Sequence, residues 1–303
     1  MPNSNPGIYV EILIHQPLER IWQLTQNPAL HQRWDLRFTG IQYLPRENSS
    51  EPQKFLYETR IGFGLAIKGT GESVGERIVE TGGATSSLKF ASDDSISLIR
   101  EGSGYWCYVP AQDGLRFFTW YDYRVRFGIL GRFIDRIAFR PLIGWATAWS
   151  FDRLRLWAEN DQSPESSISY AVLHAIARLT IAFVWIWHDL VPKLIFNHFD
   201  ERALLAQAGL PLHVLPWIGA LEIAFGLIVL AAWNRRLVFL ANIFLMFIAT
   251  GVVAIHSPAY LFAAFNPVTL NLAVVAISII GWIAARHLPS ARRCLRRPPE
   301  GEA

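Results

Sequence analysis

The sequence predicts two architectures in one chain of 303 residues: an α+β domain, with an antiparallel sheet wrapped on a long C-terminal helix, followed by an all-α four-helix transmembrane bundle. Three observations carry this. Short β-branched and aromatic runs, punctuated by Gly and Ser, fill residues 8–127 and give way to a helical stretch at 129–159. Four later stretches are apolar over the roughly 20 residues that a bilayer requires. Charge divides at the same place: residues 1–167 hold 18 Lys and Arg against 19 Asp and Glu, whereas residues 168–303 hold 10 against 6.

Composition removes several classes. The chain is 51% hydrophobic and 17% charged, too apolar for intrinsic disorder. Its two cysteines, Cys107 and Cys294, allow neither a disulfide scaffold nor a CxxC redox or zinc site. The pI of 8.9 reflects arginines near the C-terminus (Arg286, Arg292, Arg293, Arg296, Arg297) rather than a basic face, so no nucleic acid is expected as a partner.

The elements follow in order. Ile8–Ile14 reads as a strand. Pro17 to Trp22 opens a helix, Asn27-Pro28 stops it, and a second short helix carries His31 to Asp35. Apolar runs at 38–44, 54–61, 65–80, 86–91, 96–109 and 115–127 predict an antiparallel meander. The helical stretch 129–159 closes the domain, and Pro141 kinks or divides it. Leu142, Trp145, Trp149 and Leu156 recur at helical spacing on it, either lining a cavity or packing as core. Tyr105, Trp106, Trp120 and Tyr121 pose the same choice. Upstream, Arg132, Asp135, Arg136 and Arg140 form a polar stripe opposite Ile129, Phe133, Ile134 and Ile137. That stripe is either an amphipathic segment on the inner leaflet or an ordinary solvated helix face.

Pro17-Leu18-Glu19-Arg20-Ile21-Trp22, Arg33-Trp34-Asp35, and Phe139-Arg140-Pro141-Leu142 running into Trp145-Ala146 resemble the START-like SRPBCC superfamily (polyketide cyclase/dehydrase-like) over about residues 5–160. The resemblance implies a helix-grip fold with an apolar cavity between sheet and helix. Members bind lipids, sterols, polyketides or aromatic molecules, and some are cyclases or hydrolases. Candidate cavity residues are Trp34, Asp35, Arg60, Trp106, Trp120, Arg124, Trp145 and Trp149. No catalytic residue is assigned. The domain's only histidines are His15 and His31. Cys107 lies in an apolar strand that should raise its pKa and leave it inert. An acid or base could come from Asp35, Glu58, Arg60, Asp122 or Arg124, each equally readable as an ion-pair partner.

The division expected is a domain at 1–160, a polar linker at 161–167 acting as a hinge, a membrane domain at 168–288 and a basic tail at 289–303. The spans are placed at about 168–188, 214–232, 237–256 and 268–285. Arg235, Arg236 and the tail arginines share one side of the membrane, and the opposite connections hold only Lys193 and Arg202. Basic excess marks the cytoplasmic side, so both termini are expected there. Met1 to Val10 has no signal-peptide pattern.

Trp185-Ile186-Trp187-His188-Asp189-Leu190-Val191-Pro192-Lys193-Leu194, Gly219-Ala220-Leu221-Glu222 with Gly226, and Phe265-Asn266-Pro267-Val268-Thr269-Leu270-Asn271-Leu272 resemble the DoxX-like family of four-helix membrane proteins over about 170–285. The family takes its name from a subunit of a quinone-linked thiosulfate oxidoreductase. The resemblance therefore implies a bacterial inner-membrane location and a possible redox partner protein. GxGxxG and CxxCH are absent from the sequence, so any cofactor would belong to the partner and none is assigned here.

On span one His174, Arg178, Trp185 and His188 fall within about 80° of arc, and Gly219, Glu222 and Gly226 within about 60° on span two. A lone charge at a helix centre costs about 2.5–3.5 kcal/mol on insertion scales. Pairing offsets that cost, so an Arg178–Glu222 pair is expected, with Gly219 and Gly226 allowing close approach. It would serve as a ligand or proton site, or only fix helix register. A second polar set, His188, Asp189, Lys193, His256, Asn266 and Asn271, should gather at the outer end. It would be a head-group or quinone-carbonyl site, or simple interfacial capping; no metal motif is present.

These readings converge on a membrane-anchored protein that binds a small apolar or lipid-like ligand in a cytoplasmic cavity. The alternatives are an accessory subunit of a quinone-linked oxidoreductase and a polyketide cyclase-like enzyme. The leading reading requires a cavity above about 300 Å³ in the first domain.

Overall fold

A computed structural model of the chain describes residues 7–48, 51–62, 64–78 and 82–299. It forms two units: unit 1 comprises Met1–Ser167 with Pro289–Ala303, and unit 2 comprises Ile168–Leu288.

Unit 1 is built on a seven-stranded antiparallel sheet in the order β1-β7-β6-β5-β4-β3-β2. The strands are β1 (Ile8–Ile14), β2 (Gly40–Tyr43), β3 (Lys54–Gly62), β4 (Leu65–Ile78), β5 (Ala84–Ala91), β6 (Ile99–Ala111) and β7 (Gly114–Val125). Each run expected from the sequence is a strand here, and all neighbours pair antiparallel. Between β1 and β2 lie α1 (Leu18–Gln26) and α2 (Pro28–Trp34). Asn27 both ends the first and caps the second: its Oδ1 accepts from the Ala29 and Leu30 amides at 2.9 and 3.4 Å.

After β7 come α3 (Gly128–Ile134), a wide-turned π segment (Asp135–Phe139) and α4 (Arg140–Asn160). Pro141 has no amide hydrogen to continue the α pattern, and the wide turn sits just before it. The expected division of the helix falls there. α4 packs on the sheet through Ala148, Phe151 and Leu154, all fully buried, with Phe151 stacked on Phe117 at 4.5 Å between centroids.

Residues 161–167 fall within this unit and are hydrogen-bonded to it. α5 (Pro164–Asp189) begins inside this unit. Arg153 donates to the carbonyls of Trp34, Arg33 and Pro164, and Glu165 takes two hydrogen bonds from Arg33 at 2.8 and 3.0 Å. The C-terminal segment docks as well. The buried Asp152 accepts from the Ser290 amide (2.7 Å) and Arg293 (2.8 Å). Leu295 exchanges two backbone hydrogen bonds of 2.9 Å with Glu11, adding a bridge to the sheet's β1 edge.

Unit 2 contains four helices long and apolar enough to cross a membrane, at Pro164–Ile195, Leu212–Ala231, Leu237–His256 and Pro267–Ala284. The first is longer than expected, because α5 continues into a π segment, Leu190–Ile195, that carries Pro192. α6 (Phe199–Gln207) follows, then α7 (Leu215–Ala231), α8 (Leu237–His256) and α9 (Pro267–Ala284). Large side chains such as Leu221, Phe247 and Ile255 point outward and are exposed, the opposite of a water-soluble bundle. A buried polar chain joins three helices: Trp185 Nε1 donates to Asn242 Oδ1 (2.6 Å), and Asn242 Nδ2 donates to Ser278 Oγ (2.7 Å).

Candidate functional site

The sheet of unit 1 curves around a cavity of about 830 Å³, inside the range typical of ligand pockets. Strand alternation decides which residues face it. In β7, Thr119 and Tyr121 point inward, opposite Trp106 and Gly104 of β6. The helical side is formed by Phe139, Leu142, Ile143 and Ala146, one stripe at i, i+3, i+4 and i+7.

A small polar group interrupts this apolar wall. His31 and Arg37 line the cavity, and Asp35 lies fully buried behind them. Arg37 binds Asp35 through Nε at 2.9 Å and Nη2 at 2.6 Å, and His31 Nε2 is 3.1 Å from the same carboxylate. Burial opposes ionisation of Asp35, but the adjacent Arg37 charge and the hydrogen bonds from His31 and Arg37 outweigh it and hold the carboxyl well below its usual range. Burial lowers the His31 pKa below 6.5 despite the neighbouring carboxylate, so the ring is a neutral donor to Asp35 at neutral pH. Burial alone pushes the Tyr57 phenol, also on the wall, up to about 12.

Of the eight residues expected at the cavity, Trp106 is the one that lines it. Trp34 is core, fully buried, with Nε1 donating to the Leu24 carbonyl at 3.0 Å. Asp35 holds the wall from behind. Trp120 and Arg124 are one pleat out of phase and lie on the opposite face of the sheet, Trp120 stacked on Tyr105 at 6.0 Å and Arg124 paired with Glu101 at 3.0 Å. Arg60 is exposed and paired with Glu58 at 2.9 Å. Trp145 and Trp149 stack on each other on a different face of α4, with Arg153 over Trp149. Among the residues considered as acids or bases, Asp122 pairs with Arg140 at 3.0 Å. Cys107 behaves as expected, burial raising its pKa.

In unit 2 the expected Arg178–Glu222 pair does not form. Arg178, fully buried, donates to His174 Nε2 at 3.0 Å, to the Val229 carbonyl, and to the Arg235 carbonyl at 2.8 Å, and lies over the Phe239 ring. Glu222 pairs instead with Lys193, which also donates to Asp189 at 2.7 Å. The reason is axial: Val229 lies about two turns beyond Glu222 on α7, roughly 10 Å of rise. His174, Arg178 and Trp185 are buried and His188 is exposed, and the first helix extends at both ends beyond its apolar stretch.

The outer set also separates. Lys193 belongs to the Asp189–Glu222 group, Asn271 donates to Thr250 at 2.9 Å, and Asn266 caps α9 by accepting from the Thr269 amide at 3.0 Å. His188 and His256 are exposed. Close approach is seen at Gly226, where an added Cβ would lie 2.9 Å from Ile186, at Gly281, where it would lie 2.4 Å from Phe239, and less tightly at Gly219, where it would lie 3.3 Å from Lys193. Asn242, Ser278 and Gly281 were not singled out from the sequence, although a polar residue inside an apolar span is itself a signal.

The DoxX-like family model matches residues 182–279. The uncharacterized membrane protein YndG of Bacillus subtilis is 50% identical over 181 residues, covering 59% of this chain and 67% of that protein. Solved structures similar to part of the chain include TTHA0849 from Thermus thermophilus (16% identity, TM-score 0.38, 51% of this chain and 99% of that one). Another is a STAR-related lipid transfer protein from Xanthomonas axonopodis (12% identity, TM-score 0.40, 52% and 89%). An α+β helix-grip unit thus precedes a DoxX-like four-helix membrane unit, and the chain belongs to the family of the membrane protein YndG.

Proposed function

We propose that unit 1 binds a small apolar or lipid-like ligand with one polar head, and that unit 2 holds it at the bacterial inner membrane with both termini in the cytoplasm. The cavity carries this reading: about 830 Å³, lined by aromatic and aliphatic side chains together with polar ones, His31 and Arg37 among them. A carboxylate, phosphate or carbonyl head suits the Arg37 guanidinium, and the apolar body suits Trp106, Phe139 and Ile143. Membrane attachment supports it physically, since a tethered cavity meets membrane-derived molecules at raised effective concentration. The cytoplasmic placement rests on the arginine distribution.

The test is photolabelling of the full-length protein in nanodiscs with a diazirine fatty acid, followed by peptide mapping. Labelled peptides containing Trp106 and Phe139–Ala146, competed by unlabelled fatty acid, are expected. Labelling confined to residues 168–288 would refute the reading.

A further inference from the structure

The helical segment between the sheet and α4 is built inside out. Its single carboxylate, Asp135, is buried, where it accepts from Tyr123 Oη at 2.7 Å and from Arg140 Nε at 3.0 Å. Arg140 also reaches Asp122 on β7 at 3.0 Å. Asp135 and Arg140 are therefore turned toward the sheet. The apolar side faces out: Ile129 is 80% exposed, Leu130 64%, Ile137 60% and Phe133 59%. Phe127 precedes them with φ +65°, a left-handed conformation that a bulky side chain rarely adopts, and is itself exposed. A water-facing helix has the reverse arrangement, and a contiguous exposed apolar face of this kind marks a contact surface.

We infer that the outward face of residues 127–142 docks on the lipid bilayer. Three features select lipid over a protein partner. The chain carries its own four spans, so the surface is never far from a membrane. With Asp135 turned inward, the exposed charges of the segment are Arg132 and Arg136, of one sign, suited to anionic headgroups, with stems long enough to snorkel beside buried Ile and Phe. The face is also continuous with the cavity: Leu142, 57% exposed, belongs to both. Docking would set an apolar cavity wall against the acyl region. The inference goes beyond ligand binding and does not require the cavity to be filled.

The experiment uses the full chain, with Cys107→Ser and Cys294→Ser, in nanodiscs of phosphatidylethanolamine and phosphatidylglycerol. A bimane is attached at Ile129→Cys, Phe133→Cys or, as control, Lys89→Cys on the sheet. Lipids brominated near the headgroup end of the chain should quench positions 129 and 133 several-fold more than position 89, and removing phosphatidylglycerol should reduce the difference. Ala146→Trp, which fills the cavity, should leave it unchanged. Equal, weak quenching at all three positions would overturn the proposal. So would positions 129 and 133 that are shielded from aqueous iodide yet unquenched by brominated lipid, because a protein or a second copy would then cover the face.

Discussion

Arg37 holds Asp35 at 2.6 Å in the wall of the cavity, with Arg37 on the lining and the carboxylate buried behind it. The geometry does two things at once. It satisfies a carboxylate that has no access to water, and it fixes a guanidinium at the cavity surface. Under the proposed function Asp35 is a positioning residue, and Arg37 is the group that would meet a ligand head.

Removing half of a buried ion pair leaves the other charge uncompensated, at about 3–5 kcal/mol. Asp35→Ala should destabilise unit 1 by that order, read as a large drop in the Trp-fluorescence Tm of the full chain in detergent. Arg37→Ala strips the same pair from its other side and should also remove binding of acid-headed ligands. Arg60→Ala or Arg124→Ala, both in exposed pairs, should change Tm little.

Acid sensitivity has a defined sign. His31 and Asp35 both have folded pKa values below their ordinary values of 6.5 and 3.8, so the unfolded chain binds protons more readily. Their contribution is complete above about pH 6.5 and is lost as pH falls, first through the His31 window and then, below about pH 4, through that of Asp35. A Tm series from pH 8 to pH 4 should show the first decline near pH 6, and His31→Asn should abolish that step.

The membrane unit offers a direct comparison of two pairings. A double-mutant cycle of Lys193→Met with Glu222→Gln should give a coupling of about 1–3 kcal/mol, while Arg178→Met with Glu222→Gln should be additive within about 0.5 kcal/mol. Thermal denaturation in detergent reads both. Coupling in the second cycle but not the first would restore the pairing that the helix angles alone suggest.

Asp152 makes a separate prediction about the C-terminal segment. Its carboxylate receives the Ser290 amide and the Arg293 guanidinium, and Arg155 Nε at 2.8 Å completes its shell. Asp152→Ala should release residues 289–297 and speed tryptic cleavage at Arg293 and Arg296 by about tenfold. The estimate corresponds to about 1.4 kcal/mol of lost local protection. Unchanged cleavage would mean that the Leu295–Glu11 bridge suffices.

The fold was legible because its signals are local and repeated. Asn27-Pro28, the β-branched run at Ile8–Ile14 and four long apolar stretches each admit one structure. The cavity residues were less legible for a reason seen at Trp120 and Tyr121: both are aromatic and adjacent, and only strand register decides which faces inward. Of the helical stripe, Leu142 lines the cavity and Leu156 is buried. Trp145 and Trp149 drew attention by size, whereas the smaller Ile143 and Ala146 leave the room that a cavity needs. The Lys193–Glu222 pairing was not legible, because the π segment carries the first helix past its apolar stretch and brings Lys193 level with Glu222.

Native mass spectrometry of the full-length protein, released from nanodiscs beside its Ala146→Trp variant, tests ligand binding in unit 1 most directly. The prediction is one extra apolar molecule retained by the unmodified chain and lost in the variant at unchanged Tm. Identical lipid loads in the two, with both folded, would contradict it.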